Sequence, residues 1–104
     1  MGLQFEWDKD KAASNLKKHK VSFDEASTVF DDPLAYIFDD EDHSAEEHRE
    51  IIIGHSILRR LLLVCFTERI ENLIRIFSAR KATKKERKDY EKNAGLQVSE
   101  DPLN

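Results

Sequence analysis

The chain has 104 residues, 39% hydrophobic and 37% charged, with a formal net charge of −4 and one cysteine. A chain of this length supports one domain with one core and buries roughly 65% of its unfolded surface. An internal disulfide is excluded, and so is a membrane helix, which needs about 20 apolar residues in a row.

Leu3 to Trp7 alternates apolar and polar residues and predicts a short strand. Asp8 is a candidate N-cap for a helix to about His19. Its apolar face is expected to hold Ala12, Ala13, Leu16 and His19, with lysines opposite. Ser22-Phe23-Asp24-Glu25 reads as a capping box opening a second helix, which Asp31-Asp32-Pro33 stops. The two short helices predict an N-terminal hairpin. Leu34 to Phe38 is a strand candidate, followed by the acidic loop Asp39 to Glu46. Three strands follow: Glu47 to Ile57, Arg59 to Thr67 and Asn72 to Ser78. Their short connections predict antiparallel hairpins. The run Leu61 to Phe66 predicts a middle strand covered on both faces. Thr83-x-x-Glu86 is another capping box, for a helix to about Ala94 with Gly95 beyond it. Its apolar stripe is thin: Ala82, Tyr90 and Ala94. One domain over residues 1–94 and a tail over 95–104 are expected. The first residues lack the basic and apolar regions of a signal peptide, so a cytoplasmic location is expected.

The net charge hides a division. Residues 24–50 hold 11 acidic residues against Arg49 alone, net −10; residues 75–92 hold eight basic against three acidic, net +5. One end suits a polyanion and the other a basic partner.

Within the basic end, Thr67-Glu68-Arg69 and the run Leu73 to Ala82 set arginines into apolar sequence. Phosphate recognition needs forked cations on a rigid platform. With a period of two, Arg75 faces away from Ile74 and Ile76, which share a face with Ser78 and Arg80. A hairpin turning near Ile70 to Asn72 puts Arg69 and Arg80 at opposite ends of the second strand. Surface ion pairing is the alternative reading. His43 and His48 lie among carboxylates, an arrangement that suits proton transfer as well as plain solvation. Cys65 reads as a core thiol. Trp7 is either core or a stacking platform for a base. Tyr90 is either a ring that docks its helix or a phenol near phosphate. No metal-ligand spacing and no glycine-rich phosphate loop is present, so no metal and no cofactor are expected.

The order of these pieces resembles the BrnT family of bacterial toxins from type II toxin–antitoxin modules. The resemblance spans about residues 5–90. It rests on Phe5-Glu6-Trp7-Asp8, Lys11-Ala12, Asn15, Lys18-His19, Val21-Ser22-Phe23, Glu25-Ala26, Val29-Phe30 and Asp32-Pro33. It continues through His43-Ser44, Glu47, Arg49, Ile53-Gly54, Thr67-Glu68-Arg69, Arg75-Ile76, Ser78-Ala79-Arg80, Ala82, Glu86-Arg87 and Tyr90. Lys20 departs where the family often has glycine, and Phe77 where it usually has isoleucine.

The resemblance implies a RelE-like α+β fold. An N-terminal helical hairpin and a C-terminal helix would pack on a small antiparallel sheet of about four strands. It implies a ribonuclease that inhibits translation. Cleavage without a metal, by attack of a ribose 2′-hydroxyl on its own 3′-phosphate, is the mechanism expected. The expected catalytic set is Arg69 and Arg80 on phosphate, His43 or Glu47 as base and Tyr90 as proton donor or phosphate ligand. Trp7, Arg75, Lys81, Lys84 and Arg87 are the expected RNA contacts. The implied partner is a BrnA-like ribbon-helix-helix antitoxin, two toxins with two antitoxins, and operator DNA is met only through it. A non-catalytic RNA- or protein-binding module is the alternative. A third reading makes Asp24 to Glu50 the main interface, docking a basic protein.

Overall fold

The computed structural model describes residues 2–41 and 47–95. Eight elements follow in order: β1 (Gln4–Glu6), α1 (Lys9–His19), α2 (Phe23–Ser27) continuing as a 3-10 turn (Thr28–Asp31), β2 (Tyr36–Asp39), β3 (Glu50–His55), β4 (Leu61–Ile70), β5 (Leu73–Lys81) and α3 (Lys84–Asn93). The strands form one sheet in the order β1-β5-β4-β3-β2. The sheet therefore has five strands, not about four, and it is mixed. β1 runs parallel to β5, pairing Gln4 with Leu73 through Glu6 with Arg75. Hairpin logic links neighbours in sequence and finds only the four antiparallel strands; β1 joins a partner almost seventy residues away.

Asp8 caps α1, its Oδ1 accepting from the Asp10 amide at 2.8 Å. The helix is rotated from the expected setting. Asn15 is buried, whereas Leu16 is 49% exposed. The cause is a pair of hydrogen bonds. The Asn15 side-chain amide donates to the Ala79 carbonyl at 2.9 Å and accepts from the Ala79 amide at 3.1 Å. Asn15 thus acts as one residue of strand against the second half of β5, which β1 does not reach. Ser22 caps α2 through the Glu25 amide at 3.0 Å. The reciprocal half of the expected box is diverted: the Glu25 carboxylate binds Ser56 Oγ at 2.6 Å and the Arg60 guanidinium. These contacts, with Arg60 first, hold the Glu25 pKa below the usual carboxylate range despite burial.

The main core lies between one sheet face and α2: Phe23, Ala26 and Val29 meet Ile52, Leu62, Val64, Phe66, Ile74, Ile76 and Ala79. On the other face, Ile53, Leu61 and Leu63 cluster with Tyr90 of α3. β4 is thus covered on both sides, as its apolar run predicts.

The register corrects one expectation about β5. Cys65 pairs with Ser78 but Phe66 pairs with Ile76, so Phe77 is an extra, bulged residue. Beyond it the alternation inverts. Ala79 takes the core face with Ile74 and Ile76, while Ser78 and Arg80 move to the opposite face, across from Cys65 and Leu63.

Candidate functional site

The Phe77 bulge opens a cleft of about 480 Å³ between α1, the start of β3 and the second half of β5. Its cations come from three separate elements: Lys11 on α1, Arg49 just before β3, and Arg80 on β5. Phe77 sits between two of them. The Arg49 guanidinium carbon lies 3.8 Å from the ring centroid and Lys11 Nζ lies 5.5 Å from it. Cation–π attraction holds both side chains at the cleft. His19 of α1, the buried Asp40 and Ser78 of β5 add to the polar lining.

Arg80 is held as a fork. Its Nη1 and Nη2 donate to Oε1 and Oε2 of Glu86, each at 2.9 Å. Glu86 also accepts from the Thr83 amide at 2.9 Å, so the expected capping box of α3 anchors the arginine. The ion pair raises the Arg80 pKa and, with the Thr83 contacts, lowers that of Glu86 to about 2. Glu47 reaches the cleft through Arg49, accepting from Nε at 3.3 Å and Nη2 at 3.2 Å. Cys65 lines the cleft as a thiol: burial first, then the Asp40 carboxylate 3.2 Å away, pushes its pKa up to about 12. It is no nucleophile near neutral pH.

The other expected site residues lie elsewhere. Arg69 and Arg75 converge on Glu6 Oε2, at 2.9 and 3.2 Å. Arg80 faces Leu63 on β4, six residues before Arg69. The strand rise separates the two arginines by about 20 Å. Trp7 packs edge-on against Phe23 in the main core, with centroids 5.8 Å apart. Lys81, Lys84 and Arg87 are exposed and continue the cationic surface along α3. His43 lies outside the described residues. Tyr90 is buried; its Oη donates to Asp32 Oδ2 at 2.8 Å and lies 3.2 Å from His55 Nδ1. Burial, then the Asp32 contact, pushes the phenol far above its ordinary pKa. Tyr90 thus docks α3 by its ring and hydroxyl. Among the described residues, Asp39, His48 and Glu50 place one ligand atom each within 4.8 Å of one another. This exposed group is already paired internally, His48 Nε2 lying 3.3 Å from Asp39 and 3.7 Å from Glu50.

The sequence expectations missed Lys11, His19, Asp40, Arg49 and Phe77 as cleft residues. One signal was available: Arg49 is the lone base in the acidic run 24–50.

The model of a family described as the ribonuclease toxin BrnT of type II toxin–antitoxin systems matches residues 7–86. The chain belongs to the BrnT family. The crystal structure at 1.1 Å of the Brucella abortus ribonuclease toxin BrnT has a similar fold, with a TM-score of 0.61 at 21% identity. The match covers 79% of this chain and 99% of that one. Among curated proteins nothing matches. As a BrnT-family toxin the chain has an antitoxin as partner, and ribonuclease activity is the family's. No helix among the described residues is long and apolar enough to cross a membrane.

Proposed function

We propose that this BrnT-family toxin is a metal-independent endoribonuclease whose chemistry takes place in the Phe77 cleft. The observation that supports this is one cleft lined by Lys11, Arg49 and Arg80 from three elements, the first two over the Phe77 ring, with His19 in the lining and Glu47 hydrogen-bonded to Arg49. A ribose 2′-oxygen attacks the adjacent phosphorus, and its proton passes to Glu47. The bond from phosphorus to the 5′-oxygen breaks, and His19 as imidazolium protonates that oxygen. The products are a 2′,3′-cyclic phosphate and a 5′-hydroxyl. Arg80 and Arg49 face the charge that develops on the non-bridging oxygens, and losing one such donor costs about 3 to 4 kcal/mol in comparable oxyanion sites. His43, the other expected base, stays a candidate beside Glu47.

Arg69 moves in this proposal from catalysis to binding. With Arg75 it holds RNA about 13 to 20 Å from Arg80 along the sheet, and Lys81, Lys84 and Arg87 hold the strand at the other end. Tyr90 stabilises the fold, and Trp7 belongs to the core. The proposal extends to a single toxin domain over residues 1–94 on a RelE-like plan, acting in the cytoplasm to inhibit translation. Its antitoxin is then a BrnA-like ribbon-helix-helix protein in a two-plus-two complex, through which alone operator DNA is met.

The test incubates the purified toxin with a defined RNA in EDTA. Fragments with cyclic ends support the reading. A mobility shift with intact RNA points instead to a binding module, and cleavage that returns only on adding a divalent ion points to Asp39, His48 and Glu50.

A further inference from the structure

The two long edges of the sheet are treated differently. Beyond β1, the exposed half of β5 is closed by the Asn15 amide. At the other edge β2 pairs with β3 alone, and among the described residues no strand lies beyond it. Asp40 donates its amide to the Arg49 carbonyl at 3.0 Å, so by antiparallel alternation Phe38 and Tyr36 also point their polar backbone groups at β3. Ile37 and Asp39 therefore point theirs outward, with no strand partner among the described residues. The same edge exposes apolar side chains: Leu34 is 43% exposed, Ile37 49% and Phe38 41%. Edge strands are ordinarily blunted by lysine, proline or a covering element. Here the flanking charges are Asp39, Glu41 and Glu50, inside the run of net −10.

We propose that β2 is the docking strand for the antitoxin, which adds an extended segment of alternating apolar and basic residues as a sixth strand. Backbone hydrogen bonds to Ile37 and Asp39 supply the pairing, and the exposed apolar side chains and acidic flanks select the segment. A second copy of this chain fits less well, because it brings one acidic edge against another. Asp40 and Arg49, which follow β2 and precede β3, both line the cleft. A segment running past Asp39 therefore reaches the cleft mouth. Only this link to inhibition rests on the proposed nuclease site; the docking itself rests on family membership and on the edge.

The test uses the full toxin, free and in complex with its cognate antitoxin from co-expression, with amide exchange followed residue by residue in NMR spectra. The Ile37 and Asp39 amides are expected to exchange fast in the free toxin and at least about tenfold more slowly in the complex. Fast exchange of both in a formed complex overturns the proposal. Equal protection in the free toxin at the same concentration assigns the edge to a second copy and also overturns it. Ile37→Pro removes an outward amide without removing a bond to β3. It is expected to cleave RNA like the unaltered toxin and to bind antitoxin about tenfold more weakly. Unchanged antitoxin affinity contradicts the proposal. Should that variant unfold, Asp39→Lys serves: weaker antitoxin binding with a flatter salt dependence is expected, and an unaltered affinity and slope count against the docking strand. If the unaltered toxin cuts no RNA, the nuclease reading fails while the exchange pattern still decides the docking.

Discussion

Gly54 on β3 has no room for a side chain. A Cβ built there meets Ala35 Cβ at 2.7 Å and an Asp32 carboxylate oxygen at 3.1 Å. This close approach lets Asp32 accept the His55 amide at 2.7 Å and the Tyr90 hydroxyl at 2.8 Å. Gly54→Ala is expected to cost about 1 to 3 kcal/mol, read in a denaturant melt. Lys20 shows the opposite situation. It ends α1 at φ 62°, in the left-handed region that costs a side-chain-bearing residue about 1 to 2 kcal/mol. Lys20→Gly is expected to raise stability, by about 1 kcal/mol or less because glycine also gains freedom in the unfolded chain. Tyr90→Phe is expected to cost about 1 to 2 kcal/mol for the lost buried hydrogen bond, with RNA cleavage unchanged. The Asp32 pKa lies below its ordinary 3.8, because bonds from His55, Leu34 and Tyr90 outweigh burial. Its contribution to stability is therefore complete above about 3.8 and is lost as pH falls through the lower folded value. Tyr90→Phe is expected to shrink that acid-side loss, which melts across pH would register.

At the scale of elements, α3 depends on its first turn more than on its thin apolar stripe. Thr83 Oγ1 accepts from the Glu86 amide at 3.2 Å while Glu86 answers the Thr83 amide. Thr83→Ala is expected to cost about 1 kcal/mol and to loosen Arg80 with it. Glu86 is held at about 2 against an ordinary 4.5. The Arg80–Glu86 pair accordingly stabilises fully above about 4.5 and loses that contribution as pH falls toward 2. Those capping residues are local in sequence, and Asp8, Ser22 and Thr83 all stand where the sequence puts them. The apolar run of β4 was legible for the same reason. The bulge at Phe77 was not, because nothing in a run of apolar and basic residues marks the one that is skipped in pairing. That single insertion moved Arg80 from the expected core-side face to the cleft. The rotation of α1 was equally hidden, since a buried asparagine paired to β5 outranks a leucine only once the strand edge is known. Arg69 and Arg80 were correctly expected at opposite strand ends; what brings cations to Arg80 is α1 and the start of β3, which no spacing in the sequence connects.

Across the whole molecule, the split of charge becomes a split of surfaces. The cleft gathers Lys11, Arg49 and Arg80, and Asp39, Glu41 and Glu50 flank the open edge at β2. RNA bound by those three cations alone should lose affinity with a log–log salt slope of about −2, as expected for single strands. With Arg69, Arg75, Lys81, Lys84 and Arg87 also on phosphate, as proposed, the expected slope is about −6, and a slope near −2 contradicts their role in binding. The central claim is that the Phe77 cleft cuts RNA without a metal, and single-turnover cleavage in EDTA at saturating RNA tests it most directly. Arg49→Ala and Arg80→Ala, each still folded, are expected to lose about 100-fold or more in rate, while Arg69→Ala keeps the rate of the unaltered toxin. Normal cleavage by Arg80→Ala, or a loss in Arg69→Ala as large as that expected in the cleft, contradicts it.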